Sequence, residues 1–154
     1  MRRQSYLGQF YQVGLGVEKD ETEAVKWFRL AAEQGNATGL WELGDCYQRG
    51  QGVEKDPEEA FIWFQKAYDA GDDERAIRSL GDCYLEGIGV EKDVDKGVSL
   101  FRASAEKGDH WAQYRLGFYY NAAPDVDAQN PEEAVKWFRL AAEQGNMYSE
   151  WFLA

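Results

Sequence analysis

Apolar positions recur along this chain with the spacing of a helix, and the pattern restarts at a fixed interval. Ala24, Trp27, Phe28, Ala31 and Ala32 stand at i, i+3, i+4, i+7 and i+8. That spacing gathers them on one helical face and leaves Lys26, Arg29 and Glu33 on the other. Ala60, Trp63, Phe64 and Ala67 repeat the stripe, and Gly97, Leu100, Phe101, Ser104 and Ala105 give a weaker version. From Glu133 to Asn146 it returns letter for letter as it stands from Glu23 to Asn36.

A second stripe precedes each of these. It is marked by a Leu-Gly pair followed three residues later by Tyr: Leu7-Gly8 with Tyr11, Leu43-Gly44 with Tyr47, Leu80-Gly81 with Tyr84, and Leu116-Gly117 with Tyr120. The glycines step by 36 or 37 residues. Counting the Leu-Gly pair as positions 7 and 8, a first helix is predicted over positions 1 to 13. Glycine pairs then end it, at Gly14 and Gly16, Gly50 and Gly52, and Gly87 and Gly89, where positive φ is needed to turn back. Asp20, Asp56 and Asp93 take the N-cap position of the second helix, and Pro57 and Pro131 the first helical position. Gly35, Gly71, Gly108 and Gly145 end that helix.

The prediction is all-α, with one repeat domain over residues 1–154. Four helix-turn-helix units cover about 1–36, 37–72, 73–109 and 110–146, and a partial fifth covers 147–154. One hairpin cannot bury its own apolar stripe but stacked copies can, which is the logic of an α-solenoid.

The totals agree with a folded chain. Of 154 residues 44% are hydrophobic, with six Trp, nine Tyr and eight Phe. The net charge of -11 disfavours nucleic acid and anionic membrane surfaces as partners. No apolar run approaches a membrane span, and Met1-Arg2-Arg3-Gln4 is not followed by the apolar stretch of a secretory signal. A cytoplasmic location is expected, with a periplasmic or secreted one left open should a signal have been removed.

The repeated pattern resembles the Sel-one-like repeat (SLR) family, relatives of the tetratricopeptide repeats. It consists of Leu-Gly-x-x-Tyr, then Gly-x-Gly-Val-x-x-Asp, then Glu-Ala-Val-Lys-Trp-Phe-Arg-Leu-Ala-Ala-Glu-Gln-Gly. The resemblance implies a right-handed α-α superhelix whose first helices line a concave surface. It also implies a non-catalytic adaptor or scaffold role. Three departures stand out. Ala122-Ala123-Pro124-Asp125-Val126 replaces the glycine loop in the fourth unit. Gly71-Asp72-Asp73-Glu74 holds an extra residue, expected to change the angle between units two and three. The segment Met147 to Ala154 matches only a first helix, expected either to cap Trp137 and Phe138 or to belong to a longer array, with self-association through it as a further expectation.

Positions 2, 5, 9 and 12 of the first helices share a face turned away from the second helices. In stacked units they form a ladder on the concave side. Its rungs are Arg2, Ser5, Gln9 and Gln12; Thr38, Trp41, Asp45 and Gln48; Arg75, Arg78, Asp82 and Leu85; Trp111, Tyr114, Phe118 and Asn121; then Tyr148 and Trp151. Trp, Tyr and Arg dominate binding hot spots. The residues assigned to partner binding are Trp41, Asp45, Gln48, Arg75, Arg78, Asp82, Trp111, Tyr114, Phe118, Tyr148 and Trp151, with Arg75 and Arg78 receiving a carboxylate. Beside that stand packing roles for Trp41, Tyr114 and Trp151, and pairing of the arginines with Asp45, Asp82 or Asp109.

Catalytic chemistry is sparse. His110 is the only histidine and has no serine or cysteine elbow beside it. Cys46 and Cys83 occupy equivalent positions of neighbouring units, about 8–10 Å apart for packed helices, beyond disulfide reach. They read as buried free thiols. No zinc or phosphate motif is present, and no cofactor or metal is expected. The function read is a protein-protein interaction module taking a peptide or protein partner. The alternative is an acidic inhibitor or immunity-type protein that blocks a basic enzyme.

Overall fold

The computed structural model describes residues 2–71, 73–122 and 129–153. All its regular elements are α-helices, nine among the described residues. They fall in two compact units, Met1–Asp93 and Val94–Ala154. The first holds α1 (Arg2–Val13), α2 (Glu21–Glu33), α3 (Ala37–Arg49), α4 (Pro57–Asp69) and α5 (Asp73–Glu86). The second holds α6 (Val94–Glu106), α7 (His110–Ala122), α8 (Pro131–Glu143) and α9 (Met147–Leu153). Asp72 and the replaced loop at 123–128 lie outside the described residues, as do the expectations placed on them. No described helix is long and apolar enough to cross a membrane.

The helices start where the cap chemistry places them. The Asp20 carboxylate accepts the Glu23 N–H, Asp56 accepts those of Glu58 and Glu59, and Asn130 accepts that of Glu133. Each bond satisfies an amide that the helix itself leaves without a partner. Pro57 and Pro131 open α4 and α8. The first helices stop on left-handed glycine: Gly50 has φ 72 and returns its N–H to the Cys46 carbonyl. The second glycine of the loop has a packing duty as well. A Cβ on Gly89 would overlap the Pro57 carbonyl oxygen at the start of α4.

Within a hairpin, the glycine of the Leu-Gly pair lets the two helices meet. A Cβ at Gly44 would lie 2.7 Å from the Phe64 ring, and Gly8 and Gly117 stand in the same relation to Phe28 and Phe138. Between hairpins, Gly39 of α3 sits against Ala31 of α2. Phe28, Phe64, Phe101, Leu43, Leu80 and Leu116 are fully buried as a result. A cluster in the first unit joins Ala24, Val25 and Phe28 to Leu40, Leu43 and Cys46, with Trp41 and Trp63 packed at its edge. Polar ties add register between hairpins. Arg29 of α2 donates to the Tyr47 hydroxyl of α3 at 2.9 Å, and Arg102 of α6 donates to the Tyr120 hydroxyl of α7.

Candidate functional site

The ladder positions have different surroundings in the two units. In the first unit they are joined to one another. Ser5 donates to the Asn36 side chain at 2.8 Å, and Gln9 donates to Glu42 at 2.6 Å. The Trp41 indole N–H donates to Ser79 at 3.1 Å, while the Arg75 guanidinium lies 4.8 Å from the Trp41 ring centre. Arg75 also donates to Thr38 at 3.2 Å and stands 3.8 Å from the Glu42 carboxylate. Asp45 is buried and accepts from Arg49 at 2.9 Å. Burial raises its pKa, outweighing the opposing pull of Arg49. Gln48, Arg78 and Asp82 are half-buried on α3 and α5.

These bonds tie α1 to α3 and α3 to α5, so this part of the ladder stitches successive first helices together. Trp41 and Arg75 form an intramolecular cation–π pair. The carboxylate that Arg75 faces here is the protein's own Glu42.

In the second unit the ladder is aromatic. Tyr114 lies at its centre, with ring centres 5.4 Å from Trp111, 6.5 Å from Phe118 and 5.6 Å from Tyr148. Phe152 stacks on Phe138 at 4.7 Å with planes 4° apart, and meets Phe118 edge-on at 6.2 Å and Trp151 at 5.1 Å. The inner rings seat α9 on α7 and α8, so Tyr114 has the packing role set out as one of its two readings. The outer rings face solvent: Phe118 is 42% exposed, Tyr148 60% and Trp151 75%. Trp111 is half-buried and its backbone N–H donates to Asp109.

Neither thiol is poised for chemistry. Cys46 and Cys83 are buried and free, with pKa values pushed up to about 12. Burial is the main cause for both, followed by the charge of Asp45 and Asp82 respectively. A thiolate is therefore disfavoured. His110 is exposed, its Nδ1 3.3 Å from the Asn146 side-chain nitrogen. Among the described residues, no group of three or more His, Cys, Asp or Glu could hold a metal ion.

Sequence reading passed over two kinds of residue. Glu42, between Leu40 and Leu43, is buried and joins Gln9 to Arg75. A carboxylate between two leucines of the packing face was the available signal. Asn36 and Asn146 close the repeated fourteen-residue motif. Each caps the next helix through its side-chain oxygen, to the N–H of Gly39 and of Ser149. Each also touches the preceding first helix, at Ser5 and at His110.

The Sel1 repeat family model matches residues 4–36, 37–72, 75–109 and 112–146. Among solved structures, a Sel1 repeat protein from Oxalobacter formigenes gives a TM-score of 0.88 at 34% identity. That match covers 99% of this chain and 60% of that one. The protective antigen c5321 of uropathogenic Escherichia coli strains, which displays an SLR fold, gives 0.51 at 34% identity over 99% of this chain and 40% of its own. Helicobacter pylori cysteine rich protein B gives 0.59 at 24% identity over 71% of this chain and 84% of its own, a likeness of fold alone. The chain thus spans less than two thirds of the length of the first two. No curated protein matches it significantly. The four matched segments follow the same register as the Leu-Gly pairs and their closing glycines, and the chain belongs to the Sel1 repeat family.

Proposed function

We propose that this chain is a non-catalytic adaptor whose partner protein or peptide is anchored on the aromatic end of the ladder, at Trp111, Phe118, Tyr148 and Trp151. Sel1 repeats generally serve protein–protein interaction, which supplies the class of function. The observation that carries the location is the row of rings around Tyr114, with Phe118 and Tyr148 exposed and Trp111 half-buried. Rigid rings give large contact area with few rotors to freeze, and a contiguous exposed apolar patch on a soluble protein marks an interaction site. On the first unit, Trp41, Asp45, Gln48, Arg75, Arg78 and Asp82 are assigned to partner binding as a polar set of their own. Internal bonds hold Trp41, Asp45 and Arg75 in place. The acidic-inhibitor reading rests on net charge alone.

The test is capture of binding proteins from the native host by the purified chain, compared with Trp111→Ala/Phe118→Ala. Captured proteins are expected to fall away by at least tenfold with the double variant while its far-ultraviolet circular dichroism is unchanged. Equal capture by the folded variant would remove the aromatic face as the site. Loss of binding in high salt with both forms would favour the charged, inhibitor-type contact instead.

A further inference from the structure

We propose that His110 is a pH-sensitive brace on the first turn of α9 and, through it, regulates partner capture at Tyr148; the second half rests on the function proposed above. Residues 23–36 and 133–146 are identical, and both close on an asparagine that caps the next helix. Asn36 does so with its oxygen alone: Oδ1 accepts the Gly39 N–H and the Ser5 hydroxyl, both at 2.8 Å. Asn146 has a different neighbour. Its Oδ1 accepts the Ser149 N–H at 3.0 Å, alongside the Asn146 carbonyl, and its Nδ2 stands 3.3 Å from Nδ1 of His110. A backbone N–H can only donate, so the oxygen has to face Ser149 and the NH2 group has to face the imidazole. Nδ1 is then an acceptor, and the bond needs the neutral ring with its proton on Nε2.

A proton on Nδ1 breaks this arrangement, because two donors then meet, the imidazolium N–H and the Asn146 NH2 group. Turning the amide over gives the ring an oxygen but presents the NH2 group to the Ser149 N–H. Swinging the ring into water leaves the NH2 group of a buried asparagine without that acceptor. Either escape weakens the link between the start of α7 and the start of α9. His110 is exposed, so protons reach it, and histidine is the side chain that ordinarily changes charge between about pH 5 and 8. It is also the only histidine of the chain. The brace is therefore present at the alkaline end of that range and lost as the pH falls. Tyr148 lies between Asn146 and Ser149, with its ring centre 5.6 Å from that of Tyr114 on α7, so the braced turn carries a ring of the binding face. The charged groups on the segments that meet at His110 are Glu106, Lys107 and Asp109 before α7, and Glu143 and Glu150 to either side of Asn146. Of these, Asp109 accepts from the Trp111 N–H and from Ser104. At the Asn36 junction the neighbour is a serine, which has no charge to gain.

The test is amide hydrogen exchange, read by NMR as protection factors at the two ends of the histidine range, about pH 8 and about pH 5.5. Protection of the Ser149 N–H is expected to fall about fivefold on acidification, the loss of one ordinary helix cap, while that of the Gly39 N–H stays constant. His110→Gln should hold the Ser149 value constant. In Asn146→Asp the second carboxylate oxygen accepts from the protonated ring, so protection should rise as the pH falls. A flat response in the parent, an equal fall in His110→Gln or an equal fall in Asn146→Asp each overturns the brace; a fall that survives His110→Gln places the titration in the neighbouring carboxylates. Partner capture from the native host, repeated at both pH values, should drop together with Ser149 protection in the parent and hold in His110→Gln. Reduced protection with undiminished capture overturns the regulation. Failure of the aromatic site itself shows separately, as equal capture by the parent and Trp111→Ala/Phe118→Ala at the alkaline pH.

Discussion

At the residue scale, the two glycines of a turn loop differ in what they hold. Gly16 has φ 74 and open space where a side chain would go. Gly89 has φ 67 and the Pro57 backbone in that space. Gly16→Ala should therefore cost about 1 kcal/mol, the left-handed penalty alone. Gly89→Ala should cost more than about 2 kcal/mol, since backbone must move too. Urea midpoints of the two variants check the order. Both glycines were legible in the sequence, because a positive φ is a demand of the backbone and only glycine meets it cheaply. The polar ladder was less legible. Its positions followed from the helical angle, but that Gln9 meets Glu42 and Trp41 meets Ser79 depends on the axial offset between successive first helices. The repeat length says nothing about that offset. The rings of the second unit were named from the helical angle alone, while their division into inner seats and outer surface depends on where Phe152 lands.

At the element scale, α2 and α8 are a controlled experiment in context. Thirteen-residue helices of nearly the same composition place Val25 in a core and Val135 in solvent. Val25→Ala is expected to destabilise by about 2 kcal/mol, the transfer of two methyl groups plus a cavity. Val135→Ala should stay within about 0.5 kcal/mol, as surface substitutions do. Thermal or urea unfolding of the pair reads the difference, and equal losses would mean that the two helices share one environment. No inspection of the helix sequence separates these cases. The information lies in the next element, since Leu43 and Cys46 of α3 cluster with Val25. Element starts were the most readable feature, since Asp20 and Asp56 each answer a local shortage of acceptors and Pro57 and Pro131 mark the first helical positions.

At the scale of the whole molecule, the two compact units differ in thiol content, with Cys46 and Cys83 both in the first. Their folded pKa values are raised to about 12, while an unfolded thiol titrates near about 8.5. Below the unfolded value both states hold the proton and the thiols do not affect stability. Above it the unfolded chain releases protons that the folded chain keeps, so stability falls from pH of about 9 towards about 12. The slope approaches about 1.4 kcal/mol per pH unit for each thiol. Cys46→Ala/Cys83→Ala should remove that component of an alkaline unfolding titration, and an unchanged titration would place the thiols in water. The shared fourteen residues have a consequence at the level of descent. Joining Asn36 directly to Met147 would delete residues 37–146, three whole repeats, and leave a junction chemically the same as the one between α8 and α9. Unequal recombination between the two copies can therefore shorten or lengthen the array by three repeats without breaking a helix or a cap, and array length becomes a trait open to selection apart from the surface it carries.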